Sequence, residues 1–348
     1  MSIRVLIVDD SALIREVLSR TLGHDGDIEV VGTAEDPIEA REKIKTLDPD
    51  VITLDIEMPN MNGLEFLDRL MRLRPIPVVM VSTLTTKGAS ETLLALELGA
   101  VDFVAKPSAD LSGGLDAFGD GLRQKIRTAA VSDVGAGTQR RTTAPQRLKT
   151  AAAPQGTLIA LGASTGGVEA IRVVLSGLPP DCPPVVIVQH MPPGFTTRFA
   201  ARLDEVTGLS VHEAEDRMPL KVGHAYVARG DHHLMVDRRS GEFRCRVAQD
   251  EPSSGHRPSV DVLFGSVAHA VGPMAVGAIL TGMGRDGASG LKAMRDAGAH
   301  TVGQSASSSL VYGMPRVAFE EGAVVEQAPL EAIAGRLAAA LARLETGA

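Results

Sequence analysis

The chain contains no tryptophan, and aromatic residues make up only 3% of its 348 residues. Hydrophobic residues nevertheless account for 44% of the sequence, so we expect sizeable cores built mainly from aliphatic side chains. The length is too great for one ordinary core and sufficient for two domains.

Cysteine is also scarce, and acidic residues outnumber basic ones. Cys182 and Cys245 are the 2 cysteines, and their spacing matches no metal or redox motif, which indicates reduced thiols in a cytoplasmic protein. Cys182 has no evident base beside it, so a thiol nucleophile is not expected. The net charge of -8 argues against a nucleic-acid partner, because such surfaces are usually basic. The sequence shows neither a signal peptide nor a spanning segment, so we expect no direct membrane insertion.

Short apolar runs alternate with helical patterns through the first third of the chain. This alternation is typical of a doubly wound, parallel α/β domain with three layers, of the flavodoxin-like kind. Strands are expected at residues 3–8, 28–34, 51–54, 78–81 and 101–105, and helices at 11–22, 37–47, 64–73 and 91–98.

The composition changes after this domain. Residues 127–156 are rich in Ala, Thr, Gly, Gln and Arg and lack apolar periodicity, which indicates a flexible linker. The predicted domains are therefore 1–126 and 157–348.

A second alternating pattern begins at residue 157 and predicts another mainly parallel, three-layer, doubly wound domain of the Rossmann-like kind. Strands are expected at residues 157–161, 185–188, 225–227 and 276–280, and helices at 168–176, 197–203, 260–270 and 289–297.

Charged and polar residues end four of the strands in the first domain. Asp9 and Asp10 follow the first strand, Asp55 the third, Ser82 the fourth and Lys106 the fifth. Clustered carboxylates favour a hard divalent cation, most naturally Mg²⁺, and a lysine can contact a phosphoryl group. One strand-end acid alone would be read as an exposed loop residue. The whole set predicts that Asp55 acts as a nucleophile and becomes an aspartyl phosphate.

This set of residues resembles the receiver domain of two-component response regulators. The resemblance implies that Asp55 is the phosphoacceptor of a phosphoprotein. The implied metal ligands are Asp9, Asp10, Asp55 and the backbone carbonyl of Glu57. The implied switch residues are Ser82, Phe103, which stands where many receivers have Tyr, and Lys106.

Ser164 lies where a strand-like run ends in small residues before a helix. Open α/β proteins bind ligands at this edge, and α/β hydrolases carry their nucleophile on a similar turn. His190 and Asp286 follow two other strands and could supply the base and its orienting acid. Backbone N–H groups in the glycine-rich turns, including that of Met283, are candidate oxyanion donors.

Simpler interpretations exist for each residue. Ser164 could be a helix N-cap, His190 a satisfied strand-end histidine, and Asp286 a turn residue before Gly287. Taken together at one edge, the three residues modestly favour a serine hydrolase. A phosphate cradle is less favoured, because the turn lacks the lysine of a P-loop.

Other histidines are weaker candidates. His232 and His233 are adjacent, so in a strand they face opposite sides and cannot easily share a metal. His256 is a candidate for the wall of the crevice and is assigned no catalytic role.

Four segments of the second domain together resemble the chemotaxis protein-glutamate methylesterase family, known as CheB. These are LGASTGG at 161–167, QHM at 189–191, HRPSVD at 256–261 and LTGMGRDG at 280–287. With the receiver and the linker ahead of them, the resemblance spans nearly the whole chain.

The resemblance implies hydrolysis of glutamate methyl esters on chemoreceptors, and in many members deamidation of receptor glutamines. It implies a triad of Ser164, His190 and Asp286, with Thr165 and Met283 lining the site and no cofactor in the catalytic domain. The implied partners are the methyl-accepting chemoreceptors and a chemotaxis histidine kinase as phosphodonor. We also expect the unphosphorylated receiver to cover the serine crevice until Asp55 is phosphorylated.

Two other classes of function remain as alternatives. A response regulator whose second domain only binds a partner would be phosphorylated without releasing methanol. A second domain that binds DNA is disfavoured by the negative net charge of the chain and by the absence of a recognisable recognition helix.

Overall fold

The computed structural model describes residues 2–58, 61–82, 86–106, 115–134 and 154–346. It contains two compact units, Met1–Arg141 and Thr142–Ala348, and the division between them falls inside the predicted linker 127–156. Most of that linker, residues 135–153, lies outside the described residues. Among the described residues, no helix is both long enough and apolar enough to cross a bilayer.

The first unit is built on one five-stranded parallel sheet. Its strands are β1 Ile3–Val8, β2 Ile28–Ala34, β3 Val51–Asp55, β4 Val78–Ser82 and β5 Asp102–Ala105. The spatial order is β2-β1-β3-β4-β5 and all neighbours are parallel, which confirms the doubly wound, flavodoxin-like prediction.

Five helices follow these strands in the chain. They are α1 Ala12–Leu22, α2 Pro37–Leu47, α3 Gly63–Leu73, α4 Thr86–Leu98 and α5 Leu115–Ala130. Local signals start the first two helices: the Ser11 hydroxyl accepts the Ile14 N–H, and Asp36 caps α2 immediately before Pro37.

The helix α5 was not predicted from the sequence, and it ends at Ala130, beyond the expected start of the linker. Its two glycines weaken its intrinsic helical preference. Tertiary contacts stabilise it instead: Arg123 donates to the Thr21 carbonyl at 2.9 Å, and Arg127 pairs with Asp25 and Asp27.

The second unit contains a seven-stranded parallel sheet and a separate antiparallel hairpin. Its strands are β6 Leu158–Ala163, β7 Val185–Gln189, β8 Ser210–Glu213, β9 His224–Val227, β10 His233–Arg239, β11 Glu242–Ala248, β12 Ala275–Ile279, β13 His300–Gln304 and β14 Glu326–Ala328. The order in the large sheet is β14-β13-β12-β6-β7-β9-β8, while β10 and β11 form the hairpin.

Six helices belong to this unit: α6 Gly167–Gly177, α7 Phe195–Val206, α8 Val260–Ala270, α9 Ala288–Asp296, α10 Met314–Glu320 and α11 Leu330–Thr346. The mainly parallel α/β prediction is confirmed. The hairpin, the strands β8, β13 and β14, and the helices α10 and α11 were not predicted.

Three neighbouring strands, β12, β6 and β7, position the candidate site at the centre of the large sheet. Hydrogen bonds continue between the chain segments beyond the strand ends. The Ser164 N–H donates to the Thr281 carbonyl at 3.0 Å, and the His190 N–H donates to the Ala163 carbonyl at 3.2 Å. These bonds fix the backbone on which the serine and the histidine stand.

Close packing of β6 against α8 gives a test of this arrangement. A Cβ atom on Gly162 would lie 2.2 Å from Cγ1 of Val260, so Gly162→Ala should lower the free energy of unfolding by about 1–3 kcal/mol. Gly265, inside α8, has open space at the same position, so Gly265→Ala should be neutral or stabilising by up to about 1 kcal/mol. Calorimetric unfolding of both variants measures the difference. Equal stability of the two would contradict the close contact.

Candidate active site and phosphorylation site

Ser164 stands in the turn between β6 and α6. The helix N-cap is Gly166, which has a left-handed φ of 79° and no side-chain capping bond. The Ser164 carbonyl, rather than its hydroxyl, accepts the N–H of Gly167, at 2.7 Å. The N-cap interpretation of Ser164 is therefore wrong, and its half-buried side chain remains available for chemistry.

His190 and Asp286 form a hydrogen-bonded pair. Nε2 of His190 lies 2.7 Å from Oδ2 of Asp286, although 96 residues separate them in the chain. Asp286 is only 1% exposed. The two strand-end residues that the sequence suggested are thus in direct contact.

The N-terminus of α8 holds the Asp286 carboxylate. Oδ1 accepts the Ser259 hydroxyl at 2.8 Å and the Asp261 N–H at 3.0 Å, while Oδ2 accepts the Val260 N–H at 2.7 Å. The positive end of the helix dipole and its free N–H groups favour a negative charge here. Asp286 was predicted as a candidate, but this anchoring by α8 was not.

The pKa of Asp286 reflects these opposing effects. Burial raises it, but the hydrogen bond and charge of His190 and the backbone N–H groups outweigh burial and lower the pKa from 3.8 to about 2. Ionised Asp286 therefore stabilises the fold above about pH 3.8, and this contribution is lost as the pH falls through about 2. At neutral pH the group is a carboxylate that can only accept hydrogen bonds.

This charge state assigns the histidine tautomer. Because Asp286 only accepts, the proton of neutral His190 belongs on Nε2, and Nδ1 carries the free lone pair. Nδ1 is buried and has no hydrogen-bond partner among the described residues. It is therefore the nitrogen that can take a proton.

A buried glutamine ties the serine and histidine segments together. Nε2 of Gln189 donates to the carbonyls of Ser164 at 2.9 Å and His190 at 3.2 Å. The sequence analysis missed this role, although a glutamine ending a wholly apolar strand is the type of signal that could have indicated it.

The turn after β12 also packs against the serine. A Cβ atom on Gly282 would lie 2.7 Å from Cβ of Ser164, so only glycine fits there. The adjacent Met283 is 41% exposed, and the Thr165 carbonyl accepts the Thr281 hydroxyl at 3.0 Å. Both predicted lining residues thus lie on turns that contact one another; their roles in the reaction stay predictions.

His256 has a closer relation to the site than the sequence suggested. Its ring stacks on the His190 ring, with 3.9 Å between the centroids and 14° between the planes. Burial, followed by the charge of His190, lowers the pKa of His256.

The acidic residues of the first unit also come together. Carboxylate oxygens of Asp9, Asp10 and Asp55 all lie within 4.8 Å of one another. Nζ of Lys106 is 2.9 Å from Oδ2 of Asp9 and 2.8 Å from Oδ2 of Asp55. A cluster of hard oxygen donors fits a divalent cation such as Mg²⁺.

Asp55 is the central member of this cluster. Burial raises its pKa to about 6; the Asp9 charge also raises it, while the Lys106 hydrogen bond and charge oppose the rise. Its Oδ1 accepts the Ile56 N–H at 2.8 Å, which orients the carboxylate at the end of β3.

The other predicted receiver residues occupy the same domain. Ser82 is buried at the end of β4, where its hydroxyl accepts the Thr92 hydroxyl at 2.8 Å. Phe103 is buried in β5, with Nζ of Lys125 5.1 Å from its ring centroid, and Glu57 is exposed after β3. Their switch and metal-binding roles stay predictions.

Comparisons with known proteins match both domains. The family model described as CheB methylesterase matches residues 159–337, and that of the response regulator receiver domain matches residues 5–112. The protein-glutamate methylesterase/protein-glutamine glutaminase 1 of Caulobacter vibrioides is 58% identical over 334 residues, covering 95% of this chain and 96% of that protein.

Two further relatives extend the comparison. The protein-glutamate methylesterase/protein-glutamine glutaminase of Salmonella typhimurium is 50% identical over 348 residues, covering 99% of this chain and 98% of that protein. The crystal structure of the Thermotoga maritima CheB methylesterase catalytic domain matches with a TM-score of 0.52 at 34% identity, covering 53% of this chain and 99% of that domain.

Ser259 provides a test of the Asp286 anchor. Ser259→Ala removes the 2.8 Å bond to Asp286 and the N-cap of α8, so stability should fall by about 1–2 kcal/mol. The hydrolase activity of the second unit should fall as well, because the carboxylate is less firmly oriented. Asp36→Ala is the matched control, since it removes the cap of α2 in the other unit. Calorimetry and ester hydrolysis measure both effects. Equal activity of the two variants would contradict a catalytic function for the anchor.

Proposed function

Because the chain belongs to the CheB methylesterase family and is an enzyme with a receiver domain, we propose that Ser164, His190 and Asp286 form its catalytic triad. The reaction is hydrolysis of glutamate side-chain methyl esters on chemoreceptors, together with deamidation of receptor glutamines. The observation that carries the triad is the 2.7 Å bond between His190 and Asp286 at the strand end beside Ser164.

In the proposed reaction, Nδ1 of His190 takes the proton of the Ser164 hydroxyl as the oxygen attacks the ester carbonyl. Asp286 stabilises the imidazolium that forms. The histidine then gives the proton to the methoxy oxygen as the C–O bond breaks and methanol leaves, or to the amide nitrogen of glutamine, which leaves as ammonia. Water, activated by the same nitrogen, hydrolyses the glutamyl ester and frees Ser164.

Two features of the turns support stabilisation of the oxyanion. The Met283 N–H is the proposed donor, because it follows Gly282, which packs directly against Ser164. Thr165, immediately after the nucleophile, is proposed to line the same pocket. No cofactor takes part in this mechanism.

Removal of the nucleophile tests the assignment. Ser164→Ala should reduce methanol release from methylated receptor membranes by on the order of 10³-fold or more, because the covalent step is lost. Phosphorylation of Asp55 in the same variant should be unchanged, since it depends on the other unit. Methanol release at the normal rate would refute the triad. A protein that binds receptors without hydrolysis would release none in either form.

The receiver is proposed to control this enzyme through Asp55. A chemotaxis histidine kinase is the proposed phosphodonor, and Asp55 the nucleophile that accepts the phosphoryl group. Asp9, Asp10, Asp55 and the Glu57 carbonyl would hold Mg²⁺, which neutralises phosphoryl charge when bound. Lys106 is proposed to contact the transferred group, and its contacts with Asp9 and Asp55 support this role.

The effect of phosphorylation is proposed to be a change of access to Ser164. Ser82 and Phe103 are the proposed residues that respond to the phosphoryl group. The unphosphorylated receiver would cover the crevice, and phosphorylation would shift the population towards an uncovered form.

Two variants test this control. Deletion of residues 1–150 should raise methylesterase activity above that of the unphosphorylated full chain, because the proposed cover is removed. Asp55→Asn in the full chain should abolish stimulation by a small phosphodonor such as acetyl phosphate while leaving basal activity. Both are measured as methanol release with and without the phosphodonor. A truncated chain no more active than the unphosphorylated full chain would rule out occlusion.

A further inference from the structure

We propose that His256 is a positioning residue for His190, whose stacked ring holds the catalytic imidazole in the plane that directs Nδ1 to Ser164. The inference rests on the proposed triad and adds a residue to it. The observation behind it is the near-parallel stack of the two rings, with centroids 3.9 Å apart and planes 14° apart.

His190 needs a second constraint besides Asp286. The bond from Nε2 to Oδ2 fixes one edge of the imidazole but leaves the ring free to rotate about that bond. The opposite nitrogen, Nδ1, has no hydrogen-bond partner among the described residues that could stop this rotation. The His256 ring, packed on the face of the His190 ring, supplies the missing restraint. Rotation of the His190 ring would make the two rings clash.

The segment that carries His256 is itself restrained. Ser253 and His256 exchange two backbone hydrogen bonds of 3.1 and 2.9 Å, which close a tight turn. The next residue, Arg257, pairs with Asp231 at 2.6 Å and donates to the Asp250 carbonyl at 3.0 Å. His256 is thus presented by a fixed loop just before α8, the helix that anchors Asp286.

The charge of His256 agrees with this role. His190 becomes an imidazolium during the reaction, and a neutral aromatic face stabilises a neighbouring cation, whereas a second cation would repel it. Burial is the largest effect on the pKa of His256 and lowers it, which favours the neutral ring. The charge of His190 lowers this pKa further, and the charge of Asp286 raises it.

Three variants of the full chain separate stacking from hydrogen bonding. His256→Phe keeps a flat ring without nitrogens, His256→Gln keeps polar atoms without a ring, and His256→Ala removes both. Each is assayed with acetyl phosphate present for kcat and KM of methanol release, and for the rate of Ser164 labelling by a fluorophosphonate. The labelling needs the base but no receptor. Melting temperatures identify any variant that does not fold.

We expect kcat and the labelling rate to fall about tenfold or more in the Ala and Gln variants, because small displacements of reacting groups are costly. KM should be unchanged, and the Phe variant should recover most of the activity. Wild-type rates in the Ala variant would overturn the proposal. So would an active Gln variant beside an inactive Phe variant, or a folded Phe variant as slow as Ala. Failure of the triad itself would appear separately, as methanol release by Ser164→Ala.

Discussion

The carboxylate of Asp286 at the N-terminus of α8 is the contact on which the candidate active site depends. Three donors from the helix start and one from His190 surround its two oxygens. An isolated buried carboxylate would be protonated, but these donors keep it charged. Its charge assigns the proton to Nε2 of His190 and leaves the lone pair on Nδ1. Helix α8 therefore acts on Ser164 indirectly: it holds Asp286, and Asp286 holds His190, which lies at the strand end beside Ser164.

The parallel sheet brings Ser164, His190 and Asp286 to one edge, because each of them follows one of three neighbouring strands. Ser164 and His190 follow adjacent strands β6 and β7, and the Asp286 turn follows β12 on the other side of β6. Backbone hydrogen bonds between the segments that follow these strands fix the positions of Ser164 and His190. The close packing of Gly162 on Val260 then sets the start of α8 relative to the sheet. The catalytic geometry is thus a consequence of sheet order and of glycine at the contact points.

Much of this arrangement could be predicted because strand ends in a parallel sheet share an edge. That rule predicted that Ser164, His190 and Asp286 share one edge, and likewise Asp9, Asp55 and Lys106. The structure places His190 in contact with Asp286, and Lys106 in contact with Asp9 and Asp55. The helix α5 could not be predicted, because its glycines disfavour a helix. It is stabilised by contacts of Arg123 and Arg127 with residues about 100 positions earlier in the chain. The stack of His256 on His190 was also beyond prediction, since a loop conformation creates it.

The contacts described for the residues of the proposed triad lie within the second unit. Asp286 is held by α8, the His190 and Ser164 carbonyls by Gln189, and the His190 ring by His256. None of these bonds involves a residue of the first unit. A phosphoryl group on Asp55 could then change the rate most simply by changing which molecules reach Ser164. Under the proposed control by access, the geometry of the triad need not change when Asp55 is phosphorylated.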